Sequence, residues 1–80
     1  LDIDQFLFAK AEGNYVEVYL NNELHSKALI RMTLKDFESG LKSYPYIIKT
    51  HRSYIINSQH VKKVVGNAQG YQLHIQQHIV

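Results

Sequence analysis

A group of polar and charged side chains interrupts an apolar stretch near the middle of the chain, where residues 49–57 read KTHRSYIIN. His51 and Ser53 are the residue types that act as base and nucleophile in many hydrolases, and that chemistry also needs a third group to orient the base. Every carboxylate side chain of this protein lies at or before Glu38, and no glycine-flanked serine marks a nucleophile turn. The sequence therefore predicts a protein that is not an enzyme and has no small-molecule substrate.

Five histidines suggest a metal site, but their spacing does not support one. His74 and His78 share a strand face only if the strand continues through residues 76–77, and even then they would be about 13 Å apart. His60 has no recognisable partner ligand, and a zinc site needs three or four ligands. We expect no metal and no other cofactor.

The 80 residues form one domain by length, and at this size only a small core can form. The chain has no cysteine and no apolar run long enough to span a membrane, so we expect a cytoplasmic protein. Residues 1–24 carry five acids against Lys10 alone, whereas residues 25–80 carry eight Lys and Arg against two acids. This asymmetry favours a polyanionic partner.

The segment 49–57 must be held by strands, because alternating apolar and polar residues dominate the sequence. The pattern predicts strands over 6–11 and 15–20, joined by a Glu12-Gly13-Asn14 turn in which Gly13 or Asn14 supplies a positive φ. It also predicts a weaker strand over 24–29 and a turn at each of 66–70 and 76–77. Further strands are predicted over 46–49, 54–57, 61–65 and 71–75, with another beginning at His78.

One helix is predicted to begin after Thr33, which makes a good N-cap with Asp36 three residues later. Leu34, Phe37 and Leu41 form a single apolar stripe for packing on the sheet, and Pro45 ends the helix. The fold class that follows is mostly β, with small antiparallel sheets packed in succession and one or two short helices.

Within 49–57, Ile55 and Ile56 would point to opposite faces of a strand, so both faces are expected to be covered after Ser53. Residues 49–52 are then a strand-to-loop edge whose side chains point outward. Two interpretations of this edge remain open. Either Arg52 pairs with a carboxylate such as Glu17 or Glu12 while His51 caps a turn, or these donors face a ligand.

Two separated blocks resemble the LytTR family of DNA-binding domains, and the resemblance covers essentially the whole chain. The first is FLFAKAEGNYVEVYLNN, with Glu12, Asn14 and Tyr15 at matching places. The second is YIIKTHRSYIINSQHVKKV, which contains a His-Arg-Ser-Tyr-Ile-Ile-Asn core at residues 51–57.

The resemblance implies that loops, rather than a recognition helix, enter successive major grooves of DNA. It assigns Asn14 to the first reading loop and Arg52, flanked by His51, to the second. It also implies a third contact, an arginine in a Ser-Arg element on the last strand, which would follow Val80. We therefore expect residues 1–80 to be a LytTR-like domain truncated before its last strand.

The contacts expected with double-stranded DNA follow from side-chain chemistry. Arginine binds guanine and asparagine binds adenine through paired hydrogen bonds in the major groove. Contacts to phosphate are expected from Lys49, Ser53, Lys62 and Lys63. The resemblance further implies the output domain of a bacterial transcriptional regulator of the two-component type, with an N-terminal receiver or sensor domain, which binds direct-repeat promoter sites as a dimer.

A second class of function stays open, in which the domain is a small β module that binds a protein or peptide through edge strands and exposed Tyr15 and Tyr19. RNA binding is a weaker alternative, because paired aromatic residues are not at the spacing of a stacking sheet. DNA binding should weaken steeply between about 50 and 200 mM salt, whereas strand addition should not.

Overall fold

The computed structural model describes residues 2–80, except for the side chain of Asn67. This part of the chain forms eight strands, one α-helix and two 3₁₀ turns, at Ile3–Gln5 and Ser58–His60. The helix, α1, is Leu34–Ser39. The strands are β1 Phe6–Glu12, β2 Tyr15–Leu20, β3 Lys27–Ile30, β4 Ile47–His51, β5 Tyr54–Asn57, β6 Val61–Asn67, β7 Gly70–Ile75 and β8 His78–Ile79. The prediction of a mostly β fold is confirmed.

The strands form two antiparallel sheets. The larger sheet has five strands in the order β3-β2-β1-β5-β4, and the smaller has three in the order β6-β7-β8. Local turns account for the β1–β2, β4–β5, β6–β7 and β7–β8 hairpins. The pairing of β1 with β5 is not local, because it joins Phe8 to Ile56 and Lys10 to Tyr54. This pairing places the β1–β2 hairpin directly beside the hairpin that carries KTHRSYIIN.

The five-stranded sheet is covered on both faces, and β5 contributes to each side. Ile55 packs on the face that carries α1, where the helix buries Leu34 and Phe37. Ile56 packs on the opposite face with Phe8 and with Ile75 of the smaller sheet. The prediction that both faces of this strand are buried after Ser53 is confirmed.

The helix begins as predicted but ends earlier. The backbone N–H of Asp36 donates to Oγ1 of Thr33 at 3.1 Å, so the N-cap is confirmed. The expectation that Pro45 ends the helix is wrong, because α1 ends at Ser39 with Gly40 as its C-cap. The Gly40 N–H closes the last turn onto the carbonyl groups of Asp36 and Glu38, and Leu41 still packs in the helix-side core.

Two other predicted boundaries are corrected. The third strand begins at Lys27 rather than at residue 24, because Oδ1 of Asn22 accepts from the backbone N–H groups of Leu24 and His25 and holds them in a turn. The predicted turn over 66–70 is shorter, since β6 continues through Asn67 and β7 begins at Gly70. The Tyr71 ring lies so close to Gly66 that an added Cβ would be 2.8 Å from it. The turn at 76–77 is confirmed, with Gln76 at a φ of 54°.

No helix within residues 2–80 is long and apolar enough to cross a membrane.

Candidate nucleic-acid interface

The first predicted reading loop is the tight turn between β1 and β2. Glu12 pairs with Tyr15 across the hairpin, so Gly13 and Asn14 alone make the connection. Gly13 has a φ of 59°, which a glycine adopts without steric cost. Asn14 is exposed at the tip of the turn, where its amide is free to meet a ligand.

The second predicted reading loop is the turn between β4 and β5, formed by Arg52 and Ser53. The backbone N–H of Ser53 donates to Nδ1 of His51 at 3.2 Å, and the carbonyl of Ser53 accepts from the N–H of Ala11 at 2.8 Å. The His51 ring also lies edge-on to Tyr54, with the ring centroids 6.1 Å apart. His51 therefore shapes the turn, and β1 anchors it.

The two turns lie at the same end of the five-stranded sheet. The strand order β2-β1-β5-β4 puts two strand spacings, or about 10 Å, between the centres of the turns. Successive major grooves on one side of DNA are about 34 Å apart. The separation of the two turns is shorter than that distance, and the entry of the loops into successive major grooves stays a prediction.

Arg52 is exposed, and within residues 2–80 no carboxylate pairs with it. The two carboxylates considered as its partners are bound to lysines instead. Glu12 lies 3.6 Å from Nζ of Lys10, and Glu17 lies 3.1 Å from Nζ of Lys27. Of the two open interpretations, the capping role of His51 is observed and the ion pair of Arg52 is not.

The remaining predicted contacts divide between two places. Lys49 is exposed on the edge strand β4, two residues before His51, and so belongs to the same end of the molecule. Lys62 and Lys63 lie at the start of β6 in the smaller sheet, next to the 3₁₀ turn that follows β5. That turn is at the opposite end of the large sheet, since Nε2 of His60 is 2.7 Å from the carbonyl oxygen of Asp4, just before β1. The fold thus gathers Asn14, Lys49, His51, Arg52 and Ser53 on the large sheet, while the lysine pair lies on β6, whose Val64 lines a pocket together with His51 and Tyr54.

Asn57 fixes the far end of the strand that carries the second turn. This side chain is fully buried, and its Nδ2 donates to the carbonyl groups of Phe6 at 3.0 Å and Ile3 at 3.3 Å. Its Oδ1 accepts from the N–H of Gln59 at 3.0 Å. Asn57 thus satisfies three backbone groups at the strand end, and this holds the strand that carries the turn in place.

The expectation that Tyr19 is an exposed binding residue is wrong. Its ring stacks on Phe8 at a centroid distance of 4.3 Å and contacts His78 edge-on at 5.2 Å. The Tyr19 hydroxyl donates to Glu17 at 2.6 Å. This hydrogen bond and the adjacent Lys27 hold the pKa of Glu17 below its ordinary value of 4.5. Tyr15 is exposed as predicted, at 44%.

The histidines do not converge on a metal site. His78 is engaged with Phe8 and Tyr19, and it pairs with Ile75 rather than with His74, so the two histidines face opposite sides of the β7–β8 pair. Among the described residues there is no group of three or more side chains that could hold a metal ion.

One exposed arginine at this end of the sheet was not predicted as a site residue. Arg31 directly follows β3, whose last residue, Ile30, pairs with Val16 near the start of β2. The sequence signal was a charged residue directly after a strand, and it could be interpreted only after the strand order was known.

Comparison with known proteins agrees with the resemblance seen in the sequence. The family model of the LytTr DNA-binding domain matches residues 1–79. A solved LytTr DNA-binding domain comes from a Bacillus cereus protein that carries the name of a putative methyl-accepting/DNA response regulator. It superposes with a TM-score of 0.84 at 20% identity, over 100% of this chain and 72% of that chain. A search of curated proteins gave no match. The chain belongs to the LytTR family of DNA-binding domains.

Proposed function

We propose that this domain binds double-stranded DNA sequence-specifically through the two turns at one end of its five-stranded sheet. The observation that carries the proposal is the exposed Arg52, which no carboxylate of residues 2–80 neutralises, on a turn fixed by His51 and β1. Membership of a DNA-binding family supports the same function.

Arg52 and Asn14 are the proposed base-reading residues. A guanidinium at a turn donates two parallel hydrogen bonds to guanine, and an amide does the same at adenine. Since the turns are about 10 Å apart and base pairs rise by about 3.4 Å, the two side chains would address base pairs roughly three steps apart. Both contacts then fall within one stretch of major groove.

The proposed phosphate contacts surround the second turn. Lys49, His51 and Ser53 are at the same end as Arg52 and would fix the position of the turn without reading sequence. Lys62 and Lys63 are exposed on β6 of the smaller sheet. In this proposal they contact the phosphates of flanking DNA and contribute less to the affinity than the residues of the second turn.

The wider setting is proposed from the family and from the name of the solved relative. In it, the domain is the cytoplasmic output domain of a bacterial response regulator, preceded by a receiver or sensor domain. Dimers would bind direct repeats, and a Ser-Arg element after Val80 would add a third contact. Reading the sequence that follows Val80 tests this last point directly.

Selection from a randomised duplex pool, followed by fluorescence anisotropy, tests the central claim. Arg52→Ala should weaken binding to the selected duplex by about tenfold to a hundredfold and relax one base position, which corresponds to the loss of one paired contact. Arg52→Lys should restore little, since an ammonium group cannot make the paired contact. Lys42→Ala is the matched control, because Lys42 lies beside Pro45 and Ile47 at the opposite end. Equal behaviour of the Arg52→Ala and Lys42→Ala variants would refute the role of Arg52.

The protein-binding alternative also has an observation in its favour. β3 is an exposed edge strand, and Leu29 on it is 61% exposed. An edge of this kind can add a strand from a partner. Salt separates the two functions, because affinity that is unchanged between about 50 and 200 mM salt would favour strand addition over DNA.

A further inference from the structure

The hydrogen-bond register of the large sheet places Arg31 in one row with Arg52. Ile30 pairs with Val16, so the next residue, Arg31, lies across from Tyr15. Tyr15 pairs with Glu12 in the first hairpin. On the other side of β1, the N–H of Ala11 donates to the carbonyl of Ser53, so Glu12 lies across from Arg52.

The row therefore crosses four neighbouring chain segments and has an arginine at each end. Three strand spacings separate the two arginine backbones, which gives about 14 Å. Tyr15 and Glu12 lie between them. Glu12 is paired with Lys10 at 3.6 Å, so the acid between the arginines is partly neutralised from within its own strand.

Arg31 is not used to stabilise the fold. It is exposed, and within residues 2–80 no hydrogen bond, ion pair or aromatic contact holds its guanidinium group. Glu17, the carboxylate closest to β3 by register, is already bound to Tyr19 and Lys27. A cation left unpaired beside a reading turn is available to an anion outside the protein.

The distance between the arginines decides what Arg31 could contact. The major groove is about 12 Å wide, which just accommodates two turns about 10 Å apart. Arg31 lies beyond the first turn, about 14 Å from Arg52 along the row, so with both turns in the groove it is over the sugar-phosphate backbone. Its side chain is long enough to reach back to the nearer phosphates.

We propose that Arg31 is an additional DNA contact, a phosphate-binding residue that fixes the orientation of the row on the duplex. This inference rests on the proposed function and adds to it a residue from a third chain segment. Arg31 and Arg52 then have different roles, with charge at one end of the row and base recognition at the other.

Salt-dependent binding of the full chain to two probes tests the division of roles. The probes are the duplex selected from a randomised pool and a scrambled duplex of equal length. Arg31→Ala should weaken binding to both by the same factor, about tenfold at low salt, and should reduce the slope of log K against log salt by about 0.9. Arg31→Lys should restore most of the affinity, because a phosphate contact needs a point charge rather than a planar fork.

Lys42→Ala, which removes the same charge at the opposite end, is the control. If Arg31→Ala has the same affinity and salt slope as Lys42→Ala, the inference is overturned. If in that case Arg52→Ala alone loses affinity, the proposed function remains intact. A change in the ratio of selected to scrambled binding would make Arg31 a base reader and overturn the phosphate role. If the wild-type chain binds neither duplex, the proposed function fails and the inference fails with it. Thermal unfolding of each variant shows whether a loss of DNA affinity comes from destabilisation of the fold.

Discussion

Ile55 and Ile56 are consecutive residues of β5, and their side chains are buried in two separate hydrophobic cores on opposite faces of one sheet. Ile55 is fully buried under the helix, and Ile56 is 3% exposed against the smaller sheet. The turn that carries Arg52 is thus continuous with the strand on which both cores depend. The exposed donors of the turn directly precede this strand, and burial of the strand on both faces holds it in place.

Removing one methyl group from either isoleucine should measure this dependence without unfolding the domain. Ile55→Val and Ile56→Val should each lower the free energy of unfolding by about 0.5 to 1.5 kcal/mol in urea titrations. Ile48→Val is the control, because Ile48 pairs with Ile56 but is 45% exposed, and its cost should be smaller. Equal costs at all three positions would mean that β5 is not the strand shared by the cores.

Asn57 should not tolerate replacement of its amide by an ionised carboxyl group. In Asn57→Asp, the carboxylate would face the carbonyl oxygens of Phe6 and Ile3, which now accept from Nδ2. Burial and these carbonyls should raise the folded-state pKa of the new carboxyl above its unfolded value of about 3.9. Its contribution to stability is then present below that unfolded value and is lost as pH rises through the folded pKa. The variant should be much closer to wild type in stability at pH 4 than at pH 7 by denaturant unfolding, and a difference that is independent of pH would contradict this account.

Glu17, Tyr19 and Lys27 should make stability fall at both extremes of pH. The hydrogen bond from Tyr19, followed by Lys27, lowers the pKa of Glu17, so its contribution is present above pH 4.5 and is lost as pH falls through the lowered value. The hydrogen bond to Glu17 raises the pKa of Tyr19 above 10.0 and that of Lys27 above 10.5. Those contributions are present below the ordinary values and are lost as pH rises through the raised ones.

Glu17→Gln should flatten the acid limb of that profile and weaken the alkaline limb, because both raised pKa values depend mainly on Glu17. Urea midpoints measured across the pH range check both limbs. Glu12→Gln is the control, since its partner Lys10 is at 3.6 Å and the Glu12 side chain is 58% exposed. If the stability profile of Glu17→Gln against pH is the same as that of the wild type, the contacts among Glu17, Tyr19 and Lys27 do not cause the pH dependence.

Features that depend on neighbouring residues were predicted well from the sequence. Thr33 caps the helix, Gly13 supplies a positive φ, and Ile55 and Ile56 divide between two faces, as short-range patterns indicated. The sequence contains two signals that can end the helix, Gly40 and Pro45, and the helix ends at the first of them. The pattern of neighbouring residues does not show which of two such signals acts.

Features that depend on strand order could not be predicted in this way. Nothing near Tyr19 in the sequence shows that it stacks on Phe8 and His78, so its alternating position suggested exposure. Similarly, Lys62 was grouped with Arg52 by charge, although the fold places it in another sheet. Arg31 was overlooked for the same reason, since it joins the turns only through the registers of three strand pairs. For the candidate site, sequence therefore predicted the turns but not which charges lie beside them.

Two glycines should respond to the same substitution with opposite signs. Gly13 has a φ of 59°, and an added Cβ would have no atom within 4 Å, so Gly13→Ala should cost about 1 kcal/mol from the backbone alone. Gly40 has a φ of −70°, and its added Cβ would meet only the Phe37 carbonyl oxygen at 3.5 Å. Gly40→Ala should therefore stabilise by about 0.4 to 1 kcal/mol, because it restricts the unfolded chain.

Thermal and urea unfolding of the two variants measures both signs, and DNA affinity adds a functional comparison. Gly13→Asn should fold and bind better than Gly13→Val, because asparagine accepts a left-handed backbone and a β-branched residue does not. The Val variant should shift the turn and move Asn14 out of position, with loss of selective binding. The Gly40→Ala variant should bind DNA as the wild type does, since Gly40 follows the helix and is not part of either turn. Selective binding that survives in Gly13→Val would show that the conformation of the first turn does not determine recognition.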